Sequence, residues 1–235
     1  MGINYFRYAG KNSTDFGVWI SGESTYASPE KDIEAVVIPG KNGTLTIDKG
    51  RFHNIAVPYP AFIIDNFEEN FDAFKAFLTS VKGYARLSDT YHPDYYRLAR
   101  FNSSIDPQMT QGNRHGQFAV TFDCDPRRFL VSGDRALTFT EGSSIRNQTM
   151  YDAKPLIRAY GTGYFSISDI RVDINSANVY TDIDCELQEA YKGAINCNGN
   201  ITLINGEFPI LKSGENTIVI SGLSKIEVTP HWWTI

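Results

Sequence analysis

The chain has 235 residues, room for one large or two small domains, and its 42% hydrophobic and 21% charged content is that of a folded globular protein. The net charge is −5, with 15 Lys/Arg against 16 Asp/Glu over residues 1–138 and 7 against 11 over residues 139–235, so neither part is basic and a dedicated nucleic-acid binder is disfavoured. No apolar run approaches the ~18 residues of a spanning helix, and "MGINYFRYAGKN" lacks the basic and apolar stretches of a signal peptide, so a product made in a cytoplasm, with no membrane partner, is expected.

In chain order, "EAVVIPGKNGTLTI" (34–47) predicts a hairpin, with apolar residues on both sides of a turn running from Gly40 to Gly43. "NFEENFDAFKAFLTSVKG" predicts one helix, with Asn66 as N-cap, Glu69 as the second half of a capping box and Gly83 at the C′ position. Phe67, Phe71, Phe74, Leu78 and Val81, widened by Phe77, make an aromatic stripe that needs a sheet beneath it. Residues 102–116 read as a long polar loop, a length usually functional or flexible. "GQFAVTFDCDP" alternates, with Phe118, Val120, Phe122 and Cys124 on one face.

After residue 138 the texture changes to short alternating runs separated by Gly/Asn turns, such as "PLIRAYG", "FSISDIRVDI" and "NTIVISG". That is the pattern of a β-sandwich, so the expected organisation is an N-terminal domain over 1–138 and a sandwich over 139–235.

Chemistry is sparse. His53, His92, His115 and His231 are scattered, and HExxH, GxSxG, P-loop and GxGxxG motifs are absent. Asp123 and Asp125 read as a solvated rim rather than an acid/base couple. Asp182, Asp184 and Glu186 would share one strand face and are the best Ca²⁺ candidates, set against an ordinary acidic face beside inward Val179, Thr181, Ile183 and Cys185. Cys124, Cys185 and Cys197 read as buried thiols, with a Cys185–Cys197 disulfide as the alternative. No catalytic, metal or cofactor-binding residue is assigned, no cofactor is expected, and the chain is read as a non-enzyme.

The chain ends in "VTPHWWTI". An unbroken strand would turn Ile226, Val228, Pro230 and Trp232 to the core and leave Trp233 and Ile235 on the outer side. A covering loop or a neighbouring chain would account for that apolar pair. A third use of aromatic residues would be a sugar platform built from Tyr160, Tyr164, Tyr180 and Tyr191.

Read in order, "STDFGVWISGE", "VIPGKNGTL", "FKAFLTSVKGYARLSDTYHPDYYRLAR" and "FDCDPRRFL" resemble the N-terminal part of siphophage distal tail (Dit) proteins. "AKPLIRAYGTGYFSI", "YTDIDCELQEAY", "GEFPILKSGENTIVISG" and "IEVTPHWWTI" continue the match, which covers almost the whole chain. His231 stands where such tails usually carry Arg. The resemblance implies a mainly β chain: an N-terminal split-barrel-like domain with one packed helix and a long hairpin, then a galectin-like β-sandwich. It implies a homo-hexameric ring at the virion tail tip, between the tail tube protein on one side and the tail-associated tip protein and baseplate or receptor-binding proteins on the other, with DNA only in transit through the channel. Residues 34–55 or 102–116 are then the inter-subunit arm, and Gly40, Gly43, Trp233 and Ile235 the candidate interface positions. The alternative function is a carbohydrate-binding sandwich for host-wall attachment. With only the length of a sandwich after residue 138, an inserted carbohydrate-binding module is not expected.

Overall fold

The computed structural model describes residues 4–22, 27–110, 112, 114–177 and 179–235. The chain is mainly β and divides into two compact units, the first ending at Arg128 and the second spanning Phe129–Thr234.

The first unit contains β1 (Phe6–Tyr8), β2 (Lys11–Asn12), β3 (Val18–Ile20), β4 (Lys31–Val37), β5 (Thr44–Phe52), β6 (Ile55–Ile63), α1 (Phe67–Ser80), β7 (Ala85–Asp89), β8 (Tyr95–Arg100), β9 (Gln108–Thr110) and β10 (His115–Cys124). One antiparallel sheet runs β2-β1-β7-β8-β10-β6-β3, with β9 folded onto β10. It curls into a half-barrel. β10 and β6 pair from Gly116↔Ile63 to Cys124↔Ile55. Pro58 and Pro60 fall where β6 has β10 on one flank but not β3 on the other, so their missing N–H groups break no central ladder.

Helix α1 lies on this sheet because its stripe has nowhere else to go. Phe67, Phe71, Phe74 and Leu78 are buried, and Phe77 and Val81 pack partly against the same core. Phe71 meets Phe118 edge-on with centroids 5.2 Å apart, and Phe6 meets Phe122 in the same way at 5.3 Å. Such pairs add to the area each ring removes from water. The close approach needs Gly116, where an added Cβ would meet the Phe67 ring at 2.1 Å.

The expected capping box does not form. Asn66 sits in the left-handed region at φ 50° and makes no side-chain cap bond, because a capping side chain needs extended backbone to fold back over the first turn. The helix also ends earlier than Gly83 implies, at Ser80, with an extended Val81 as C-cap; the Ser80 hydroxyl donates to the Phe77 carbonyl at 2.7 Å. The long polar loop is corrected too: its middle is strand β9, hydrogen-bonded to β10.

β11 (Arg128–Leu130) carries the change from one unit to the next. The second unit has β12 (Leu137–Phe139), β13 (Ser143–Asn147), β14 (Leu156–Tyr160), β15 (Gly163–Ile167), β16 (Ile170–Ile174), β17 (Tyr180–Asp184), β18 (Glu189–Lys192), β19 (Ile195–Asn196), β20 (Ile201–Leu203), β21 (Gly214–Ser221), β22 (Lys225–Thr229) and β23 (Trp233–Thr234). A six-stranded sheet, β12-β22-β14-β17-β18-β19, and a five-stranded sheet, β13-β21-β15-β16-β20, enclose one core. Strict alternation supplies it: Ile157 and Ala159 from β14, Phe165 and Ile167 from β15, Val172 and Ile174 from β16, and Ile226 and Val228 from β22 are buried. Val179, expected inward, is 66% exposed at φ 76°, since the chain is still turning before β17 begins.

Candidate assembly surface

Strands β4 and β5 form a sheet of their own. The register runs Ile33↔Asp48, Glu34↔Ile47, Ala35↔Thr46, Val36↔Leu45 and Val37↔Thr44. Opposed residues share a face, so Ile47 and Leu45 lie on one side of the ribbon and Ile33 and Val37 on the other. All are exposed: Ile33 47%, Val37 74%, Leu45 46% and Ile47 45%. The predicted turn is present at the tip, where Gly40 and Gly43 take φ 79° and 81°, a region L side chains avoid, and have open space around them.

A lone two-stranded ribbon is marginally stable, and this one is pinned at its root by charge. Asp32 is 8% exposed; its carboxylate accepts from Arg51 Nε at 2.7 Å and lies 3.7 Å from Lys49 Nζ and 3.8 Å from His53 Nε2. The Arg51 hydrogen bond, with Lys49 and His53 beyond it, holds the Asp32 carboxyl below its usual pKa. Lys31 binds Asp48 at 3.1 Å, and the Gly50 amide donates to the same carboxylate at 2.9 Å. This cluster escaped the sequence reading, although its signal is there. Lys49, Arg51 and His53 recur at every second residue, which aims two cations and an imidazole from one extended stretch at a single acid across the ladder.

The tryptophan-rich end departs from the expected alternation. Ile226, Val228 and Pro230 are buried as predicted, but His231 takes φ 54° and breaks the strand, so that β22 stops at Thr229 and β23 is a separate element. Trp232 and Trp233 are both half-buried and pack on the second core. Trp233 stacks on Tyr151 at 4.4 Å and 24°, and its Nε1–H donates to the Asp152 carbonyl at 2.9 Å. Buried Asn147 holds that covering loop: Nδ2 donates to the carbonyls of Tyr151 and Leu211, and Oδ1 accepts from the Thr149 amide and hydroxyl. Trp233 is thus covered by a loop of its own unit; Ile235 is half-buried.

The other predicted groups do not converge into chemistry. Asp123 accepts from Arg100 at 2.8 Å and Asn54 at 2.9 Å, and Asp125 is clasped by Arg127. Asp182 is buried under a forked Arg158, with bonds of 2.6 and 3.0 Å, while Asp184 caps the turn amides of Glu186 and Leu187 and Glu186 faces Lys154 at 3.3 Å. β17 ends at Asp184, so Glu186 leaves the face the three were to share. No metal-ligating cluster occurs among the described residues. The three cysteines are free and buried, and burial pushes the Cys124 thiol up to about 12, away from the reactive thiolate.

The tyrosine platform comes together only in part, with the Tyr160 and Tyr180 rings 5.8 Å apart. Tyr160, Tyr180 and Tyr191 lie on the six-stranded sheet, but Tyr164 belongs to the other sheet. Cations already sit over the rings: Lys225 over Tyr160 at 4.3 Å, Arg158 over Tyr180 at 4.3 Å and Arg171 over Tyr164 at 3.7 Å. No helix among the described residues is long and apolar enough to cross a membrane.

No protein-family model and no curated protein sequence matches the chain. Among solved structures it is similar to the Dit protein (gp 19.1) of phage SPP1, described as a paradigm of the hub adsorption apparatus in phages infecting Gram-positive hosts. The TM-score is 0.78 at 12% identity over 100% of both chains. It is also similar to chains of the phage p2 baseplate in its activated conformation with Sr and with Ca, at TM-scores of 0.53 and 0.52 and 12% and 11% identity over 97% of each chain. At such identities the likeness is one of fold. The whole chain, both units included, has the fold of the SPP1 Dit hub protein.

Proposed function

We propose that the chain is a structural subunit of a siphophage tail tip, a distal tail protein whose copies assemble into the hub between tail tube and host-adhesion device. The observation that carries this reading is the β4–β5 ribbon: an arm with apolar side chains on both faces, on a fold that follows the SPP1 Dit hub protein over its full length. Six copies form a ring through their first units, each ribbon crossing onto a neighbour, with Gly40 and Gly43 shaping the crossing tip. The second unit docks baseplate or receptor-binding proteins, the tail tube and tip proteins stack on the ring, and DNA passes through the centre. An acidic chain suits that duty, because a basic lumen would retain phosphates. The subunit is made in the host cytoplasm, works in the virion and needs no catalytic residue. Trp233 and Ile235 were the other interface candidates; with Trp233 covered from within its own unit, the contact falls mainly to the ribbon.

The test is the mass of the purified protein in solution across a concentration series, with negative-stain images of any large species. A hexamer or double hexamer with an open centre is expected, and Val37→Lys with Leu45→Lys should return it to monomers. A monomer at every concentration, with or without the tail tube protein, would overturn the reading.

A further inference from the structure

The first unit contains a second feature, unrelated to the ribbon. A cavity of about 40 Å³ beside strands β6, β7 and β8 is lined by Tyr59, Asp89, His92, Tyr95, Arg97 and Arg128, among others. Two of these are guanidinium groups, and neither forms an ion pair with a carboxylate among the described residues. Arg97 is half-buried, and its Nη1 donates to the carbonyls of Pro126 at 2.8 Å and Asp125 at 3.4 Å. Arg128 lies over the Tyr95 ring at 4.4 Å. Burial pulls the Arg97 pKa below the usual arginine range, and the nearby Arg128 charge pulls it further. The Arg97 guanidinium nevertheless stays cationic at neutral pH.

Buried charges are normally paired, because desolvation costs several kcal/mol per ion when nothing offsets it. The acids nearby are already committed. Asp89 accepts the Tyr59 hydroxyl at 2.7 Å on one oxygen and the amides of Tyr91 and His92 on the other. Both oxygens of Asp125 are held by Arg127. What remains is a lined, partly enclosed space with a surplus of positive charge and unspent guanidinium N–H donors. Its volume, a few water-sized spheres, admits one small oxygen-bearing group and not a nucleotide or a sugar ring.

We propose that this cavity is an oxyanion site in which Arg97 and Arg128 bind a single carboxylate or phosphate group. The shared chemistry is a compact anion with two or more oxygens, the partner that guanidinium forks fit best. It has two possible sources: free inorganic phosphate, or a carboxylate offered by a side chain of another protein.

The experiment titrates the full chain with sodium phosphate and, separately, sodium acetate at constant ionic strength, following the Arg side-chain Nε–Hε resonances and the melting temperature. Saturable shifts confined to the Arg97 and Arg128 signals are expected, with a rise of a few degrees in Tm at about 100 times the Kd. Arg128→Gln should weaken binding about tenfold, the equivalent of one lost charge-assisted contact. Response to phosphate alone assigns the site to a free tetrahedral anion, and response to acetate assigns it to a protein-borne carboxylate; either supports the proposal. Arg97→Gln gives a further readout. If Arg97 is an anion ligand with an unpaid burial cost, this variant melts no lower than wild type without phosphate and loses the phosphate response. If Arg97 serves only to clasp the Asp125 and Pro126 carbonyls, the variant melts lower in every buffer, which would overturn the proposal. No saturation by either anion up to about 100 mM, or an undiminished response in Arg128→Gln, would do the same, since phosphate also stabilises proteins generically.

Discussion

Helix α1 and the β4–β5 ribbon both present rows of apolar side chains, but only one row finds its cover within the first unit. In α1, Phe67, Phe71, Phe74 and Leu78 fall on one stripe and all are buried against the sheet. In the ribbon, Ile33, Val37, Ile38, Leu45 and Ile47 are distributed over two faces and the tip, and remain between 37% and 74% exposed. A 3.6-residue period gathers apolar groups to one side, where a single sheet can cover them. A two-stranded ribbon with apolar groups on both faces needs layers above and below, which a domain of this size does not supply. The helix therefore contributes to folding, while the ribbon keeps its apolar groups exposed, as the proposed association requires.

The largest expected effect comes from the covered row. Phe74 is fully buried between Phe6, Phe16 and Phe118. Phe74→Ala should destabilise the first unit by about 3–5 kcal/mol in urea unfolding. A loss under 1 kcal/mol would mean that the helix is not part of the core, and the contrast with the ribbon would collapse.

The Trp-rich end is the intermediate case, half-covered by its own loop. Trp233→Ala removes the Tyr151 stack and the hydrogen bond to the Asp152 carbonyl, and should cost the second unit about 2 kcal/mol. Trp233→Phe keeps the stack and should recover part of that. If Trp233→Ala leaves thermal stability unchanged and instead lowers the mass of the assembly, the residue behaves like the ribbon rather than like the helix.

The ribbon variants sharpen the comparison from the other side. Val37→Lys and Leu45→Lys replace exposed groups, so each should change unfolding free energy by no more than about 0.5 kcal/mol. Assembly measured on the same samples should fall by an order of magnitude or more. Equal effects on both would show that the ribbon packs on its own unit in solution.

Much of this was legible in the sequence, for reasons that differ by region. The α1 stripe, the β10 alternation and the β4–β5 turn follow from periodicity and from glycines that must take positive φ, both of which are local signals. The sandwich also followed from alternation, since each of its strands needs only one buried face. What was hidden depends on single backbone dihedrals or on partners far along the chain. Asn66 and His231 look like an ordinary N-cap and an ordinary strand residue until their left-handed φ values undo the capping box and the tryptophan alternation. The cover over Trp233 comes from Tyr151, 82 positions earlier, and no spacing rule connects them. Nor does a spacing rule bring Arg97 and Arg128 to one cavity.

The smallest effect concerns what holds the ribbon in place, and pH reads it. Asp32 has a folded pKa lowered first by the Arg51 hydrogen bond, and Asp48 one lowered first by the Gly50 amide. A depressed carboxyl pKa means that the stabilisation is fully present above the unfolded value, about 3.9 for Asp, and is lost as pH falls through the folded value beneath it. Cross-strand contacts between Val37 and Thr44, and amide protection along β5, should therefore hold from neutral pH down to about 4 and fade below it. In Asp32→Asn the part due to Asp32 should be missing at every pH, leaving the shallower titration of Asp48. Because Asp32 and Asp48 tie down only the ribbon root and their cationic partners are exposed, the loss should be local, with the α1 core unaffected over the same range. If the first unit unfolds as a whole in that window, the ribbon root and the helix core form one cooperative unit, and the division of labour between them is wrong.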